Sequence, residues 1–136
     1  MARPYLGGSS GGIKTLASSQ TLQIADSGKT FICSQAGAYD VTLPEASSAK
    51  GWEGLFILGT AGSSDFDIVS SPADSIVGFM GAENSQALGD ASDPKDKVTF
   101  VGSTAAKGDR IHMICDGSTW YVAAHALDDG HITAAG

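Results

Sequence analysis

The sequence predicts an all-β domain of the sandwich or barrel class, and three observations carry that reading. Residues 108–126, GDRIHMICDGSTWYVAAHA, alternate in side-chain character from Arg110 to Cys115, break at Asp116-Gly117-Ser118-Thr119, and alternate again from Trp120. A period of two on both sides of a short Gly-bearing break marks a β-hairpin. Other short alternating or apolar runs recur along the chain between Gly, Ser, Asn and Pro turn signals, the spacing expected of a sandwich or barrel. No segment sustains a helical period.

Taken in order, residues 1–12, MARPYLGGSSGG, read as a short flexible N-terminal arm. Arg3, Pro4, Tyr5 and Leu6 make a small anchor-like cluster, and the Gly/Ser run behind them is a tether. Residues 13–136 form a single β domain. Its opening stretch is mixed, with Leu16, Leu22 and Ile24 as expected core contacts and a turn at 25–28. Residues 29–34 read as a strand with Phe31 and Cys33 on one face. Residues 39–43 alternate and stop at Pro44, which cannot donate to a ladder; these two strands are expected to pair as a hairpin. Residues 45–51 have room for one helical turn.

The run WEGLFILG, residues 52–59, is apolar on both faces, with Trp52, Phe56 and Leu58 set against Leu55 and Ile57. Such a strand is expected to be covered on both sides, by another sheet or by a neighbouring subunit. Residues 66–69, 76–80 and 98–102 are further short strands, giving eight or so in all. Residues 81–97 are polar and aperiodic and carry three evenly spaced acids, Asp90, Asp93 and Asp96; a long exposed loop is expected there. In the closing hairpin Ile111, Met113 and Cys115 share one face, as do Trp120 and Val122, and Gly117 is expected to take a positive φ. The tail after Ala126 is expected to be irregular.

Composition narrows the function. Leu, Ile, Val and Phe make up about a fifth of the 136 residues, close to the roughly 20% level below which chains tend to stay disordered. A core so thin points to burial gained from a partner. The net charge is −7, and the eight Lys and Arg residues are scattered, which disfavours an electrostatically led nucleic-acid partner. No apolar run approaches the ~20 residues that span a bilayer, and no secretion signal is visible at the start. Without such a signal, Cys33 and Cys115 are expected to be buried free thiols.

No reactive constellation stands out. His112, His125 and His131 lack ligand-pair spacing, and neither cysteine sits in a Cys-x-x-Cys motif. Asp65 and Asp67 lack the glycine and bidentate glutamate of a calcium loop, and Asp90, Asp93 and Asp96 read as solvated loop charge. Nucleophile-elbow, phosphate-loop and dinucleotide signatures are absent, and Glu45, Glu53 and Glu83 stand alone. The expectation is a noncatalytic protein with no cofactor and no metal. Trp52, Trp120 and Tyr121 are the aromatic anchors, expected in the core rather than at a recognition surface.

Two segments carry a resemblance: AGAYDVTLPEASSAKGWEGLFIL at 36–58 and GDRIHMICDGSTWYV at 108–122. An AG-x-Y-x-V-TLP strand, a Gly-led apolar strand and a closing GD…DG-x-x-WYV hairpin resemble, in that order, segments of small virion proteins of tailed bacteriophages. The likeness spans about 21–124. A short chain with an N-terminal arm is similar to capsid decoration, or cement, proteins; the closing hairpin also resembles parts of head and tail fibres. The resemblance implies a β-sandwich or jelly-roll-like subunit, a homotrimer, and the major capsid protein as partner, with neither nucleic acid nor membrane bound. It places the protein on the outer capsid surface of the virion, after synthesis in the host cytoplasm. The arm residues Arg3, Pro4, Tyr5 and Leu6 would contact the shell, and the strand containing Trp52, Leu55, Phe56, Ile57 and Leu58 would serve subunit packing. The alternative is a short fibre module recognising a host receptor or glycan through the 81–97 loop.

Overall fold

The computed structural model describes residues 12–136; the arm cluster Arg3, Pro4, Tyr5 and Leu6 lies outside them. The first half of the chain winds as a coil. Strands β1 (Ile13–Leu16), β3 (Thr30–Ser34) and β5 (Glu53–Thr60) lie side by side and parallel in one sheet. Strands β2 (Gln20–Thr21), β4 (Tyr39–Thr42) and β6 (Phe66–Val69) do the same in a second sheet. Parallel neighbours need a long crossover, and here each crossover carries a strand of the opposite sheet. A one-turn 3-10 helix at Ala46–Ser48 supplies the expected helical turn before β5.

The second half closes both sheets, mostly in antiparallel fashion. Strands β7 (Ile76–Gly81), β8 (Gln86–Ala87), β10 (Arg110–Cys115) and β11 (Trp120–His125) join the first sheet, and β9 (Lys97–Phe100) and β12 (Ile132–Ala135) join the second. The result is a seven-stranded sheet, β1-β3-β5-β10-β11-β7-β8, packed on a five-stranded one, β12-β9-β6-β4-β2. The fold is an all-β sandwich. Its mixed sheets depart from the wholly antiparallel pairing of a jelly roll.

Several expectations change. Ile24 and Tyr121, both expected in the core, are exposed. The strands at 29–34 and 39–43 are not a hairpin, because β3 and β4 belong to different sheets. Alternation reports which face a residue takes, and it carries no record of the neighbouring strand. The tail is not irregular: β12 pairs antiparallel with β9, Ile132 opposite Phe100. Within 81–97, β8 pairs with β7, and Asp90 bridges Asp93. The closing hairpin forms as expected, its register placing Cys115 opposite Trp120 and Met113 opposite Val122, and Gly117 has φ 101°.

Aromatic rings make up for scarce aliphatic mass in the core. Phe31 stacks on Phe56 at 4.7 Å and lies 6.0 Å from Trp52, which meets Trp120 edge-on at 5.4 Å. Phe66 and Phe100 add a second cluster from the five-stranded sheet. All six rings are fully buried, and burying a phenylalanine side chain contributes about 1.5–3 kcal/mol. Opposite Val122 the strand carries Gly78, where any Cβ would strike the Val122 carbonyl oxygen.

Where the coil turns from β3 to β4, Gln35 is 1% exposed. Its Nε2 donates to the Phe100 carbonyl at 3.0 Å, and its Oε1 accepts from the Gly62 N–H at 3.0 Å. One side chain thus ties the β3 corner to the loop after β5 and to β9 in the other sheet. Gln35→Leu would strand both groups out of water, each at about 1–3 kcal/mol. Urea unfolding of this variant is expected to show a loss of about 2–4 kcal/mol, and an unchanged midpoint would refute the role given to the corner.

Candidate functional site

The strand singled out from the sequence divides in two. Trp52 precedes β5 and points inward, its indole N–H donating to the Gln23 carbonyl at 3.1 Å, and Phe56 and Leu58 are fully buried. Leu55 and Ile57 face the other way and are half-buried. The inner face is covered by the five-stranded sheet. Because β5 lies between β3 and β10, Leu55 and Ile57 sit near the middle of the outer face of the seven-stranded sheet.

The three loop acids do not converge. Asp90 turns back on its own loop, accepting the Ser92 and Asp93 N–H groups at 2.8 and 2.9 Å. Asp93 pairs with Lys95 at 2.6 Å, and Asp96 accepts the Asp74 N–H at 2.7 Å. Asp96 holds Asp74 above the usual carboxylate range, first by sharing a proton with it and then by its charge. Among the described residues no three His, Cys, Asp or Glu side chains are placed to hold a metal ion.

Beside this loop lies an open cleft of about 410 Å³, between Pro72, Asp74 and Pro94 on one side and Thr119 and Tyr121 on the other. The Tyr121 ring is 47% exposed. Its hydroxyl donates to Asp116 Oδ2 at 3.0 Å, which fixes the ring at the cleft wall. Asp116 also accepts the Thr119 and Ser118 N–H groups across the turn, and these bonds pull its carboxyl down to about 2.

The histidines split between the two sheets. His125 lies opposite Arg110 and His112 opposite Ala123, so His112 and His125 are diagonal neighbours on the outer face. His131 instead meets buried Asp109, Nδ1 to Oδ2 at 2.9 Å. The same carboxylate accepts the Ala106 and Leu127 N–H groups, at 2.8 and 2.9 Å, and so clamps the start of β10 to the approach to β12. Sequence reading passed over both Asp109 and Gln35, since neither stands in a recognisable spacing. Cys33 and Cys115 are buried free thiols, and burial pushes both upward in pKa.

Two carboxylates are anchored elsewhere. Asp26 is buried and accepts Lys29 Nζ at 2.8 Å, the Gln23 N–H at 2.8 Å and Lys14 Nζ at 3.5 Å; burial alone would raise it, and these contacts bring it below the usual range. On the outer face of the five-stranded sheet, Asp40 is the register partner of Asp67, which is held by Thr99 Oγ1 at 2.6 Å and Lys97 at 3.2 Å.

No protein-family model, curated protein or solved structure matches the chain.

Loss of solvent, then the proton shared with Asp67 and its charge, hold Asp40 above the usual carboxylate range against the pull of Lys97. A folded-state value above the unfolded one, near 3.9, gives stability that is present below the unfolded value and lost as pH rises through the folded one. Asp40→Asn is therefore expected to raise Tm at pH 7 and to leave it unchanged near pH 3. A thermal melt at pH 7 with Tm equal to or below that of the unaltered protein would contradict the pairing.

Proposed function

We propose that this chain is a noncatalytic structural protein of a tailed-bacteriophage virion, a decoration or cement protein that binds the outer capsid surface as a homotrimer and stabilises the shell. The observation that carries the reading is the resemblance of 36–58 and 108–122 to segments of such proteins. Those two stretches supply β4, most of β5, β10 and the first half of β11, and β5, β10 and β11 are adjacent at the centre of the seven-stranded sheet. The resemblance therefore covers the residues that build the sandwich rather than a peripheral loop. Of the buried polar side chains, Gln35, Asp26 and Asp109 are engaged in holding corners. The shell would be stabilised by area buried between the trimer and adjacent capsid subunits. Each subunit need bind only weakly, because a trimer engaging three sites gains affinity through effective concentration. Arg3, Pro4, Tyr5 and Leu6 are assigned to the capsid contact.

The cleft supports a second reading, a short head- or tail-fibre module. An exposed aromatic ring beside hydroxyl and carboxylate groups has the chemistry of a glycan contact, and Ala91 and Pro94 bring the 81–97 loop to its rim. Particle imaging separates the two by copy number and position: regular coverage of the shell supports decoration, and a single tail or vertex location supports the fibre.

Removal of residues 1–11 spares Gly12, whose carbonyl accepts the Thr30 N–H at 2.9 Å. Co-sedimentation with capsids is expected to show attachment weakened about tenfold or more, the loss of roughly one anchored side chain's contribution, with the oligomer intact. Equal occupancy by the truncated protein would remove the arm from the mechanism.

A further inference from the structure

The two sheets treat their outer faces differently. On the five-stranded sheet the outward positions are mostly polar: Asp40, Asp67 and Thr99 fall in one row, and Thr42 and Lys97 flank Val69 in the next. A sheet with one face in water is expected to alternate in this way. On the seven-stranded sheet the same alternation brings apolar side chains outward. Leu55 and Ile57 of β5, Ile114 of β10, Tyr121 of β11 and Phe79 of β7 all lie on that face, and Ile13 extends it at the β1 edge. Ile114, Tyr121, Phe79 and Ile13 are 39%, 47%, 60% and 73% exposed. Contiguous exposure on this scale marks an interaction surface rather than scattered surface residues.

We infer that copies of this chain pack against one another through the outer face of the seven-stranded sheet. Charge selects a second copy as the occupant. The chain carries −7 overall, so identical subunits repel wherever their acids meet. On this face Glu53 and Arg110 cancel beside His112 and His125, and Asp116, which accepts the Tyr121 hydroxyl, stands at the end of the β10–β11 hairpin. Of the net −7, two copies meeting here bring only a small part together. Size agrees. Six inter-strand spacings of ~4.8 Å by strands of ~20 Å give a projected area of roughly 580 Å², and the corrugated accessible surface is larger. A stable interface buries about 800 Å² per partner. Leu55 and Ile57 are half-buried near the middle of the face, and their register neighbours on β10 are His112 and Arg110. Self-association follows from this surface alone; only its threefold order rests on the function proposed above.

The test is sedimentation velocity of the full chain and its variants. The unaltered protein is expected to sediment as an oligomer at micromolar concentration. Ile114→Lys/Phe79→Lys, at two exposed positions, is expected to give a folded monomer by circular dichroism, with a dissociation constant raised about 100-fold or more. Phe79→Asp alone carries the same expectation in direction if the double variant does not fold. Thr133→Lys, on the outer face of the other sheet, is expected to leave assembly unchanged. A monomeric unaltered protein overturns the inference, as does a face variant that assembles like the unaltered chain. Assembly lost on removing residues 1–11 but kept in the face variants would also overturn it, by giving the interface to that segment. Capsid occupancy is scored separately. Assembly through this face without capsid binding defeats the decoration role and leaves the surface standing; a capsid-binding monomer does the reverse.

Discussion

A chain that crosses from one sheet to the other at every connection from β1 to β7 must hydrogen-bond its corners away from water, and the rest of this fold depends on that constraint. Each crossing brings backbone N–H and C=O groups to the edge of the apolar layer, where an unpaired group costs as much as several favourable contacts return. Gln35 meets this demand at the β3–β4 corner by bonding Phe100 and Gly62. Asp109 does so where β10 begins, accepting from Ala106, Leu127 and His131. Ser70, also buried, lies within 2.9 and 3.0 Å of the Pro72 and Asp96 carbonyls after β6. With these corners fixed, inward residues of the two sheets fall into register, and Phe31, Phe56, Trp52 and Trp120 close into one aromatic cluster.

The same constraint shapes the surface. Polar side chains at the corners are occupied with the backbone, so recognition falls to the sheet faces and to the loops beyond them. One outer face is mostly polar, and the other sets exposed apolar side chains beside Glu53, Arg110, His112 and His125, although both arise from strands with the same alternation. A net charge of −7 keeps like surfaces apart and leaves the apolar sheet face as the place where close approach is cheapest. The cleft beside Tyr121 lies at one end of that face, because Val77 and Tyr121 belong to both. Packing at the face and binding in the cleft would therefore be felt by the same ring.

Much of the scaffold was legible in the sequence wherever its cause is local. The β10–β11 hairpin is set by Asp116, whose carboxylate accepts N–H groups two and three residues on, and by the positive φ of Gly117. Strand β6 was readable from its alternation, and the turn at Ala46–Ser48 from its composition. Strand β12 was missed because ITAA turns a single large apolar residue, Ile132, toward the core, and its small neighbours carry little signal. Of the candidate site, the inward and outward halves of the Trp52–Leu58 run were visible as a pattern. Its neighbours were not.

By itself, the sequence determined the fold class, the faces of its clearest strands and the acidic charge of the surface, since each depends on residues close together in the chain. Only the tertiary structure decided which strands pair. It wound the first six into a parallel coil, made Gln35 and Asp109 the ties between distant segments, and gathered Leu55, Ile57, Ile114, Tyr121 and Phe79 onto one face. The physical reason is that a period of two sends a side chain to one side of a sheet and is silent about the neighbouring strand. That partner is chosen by packing and by the satisfaction of buried polar groups across 20–70 residues of intervening chain, as in the bonds from Gln35 to Gly62 and Phe100, which lie 27 and 65 residues away.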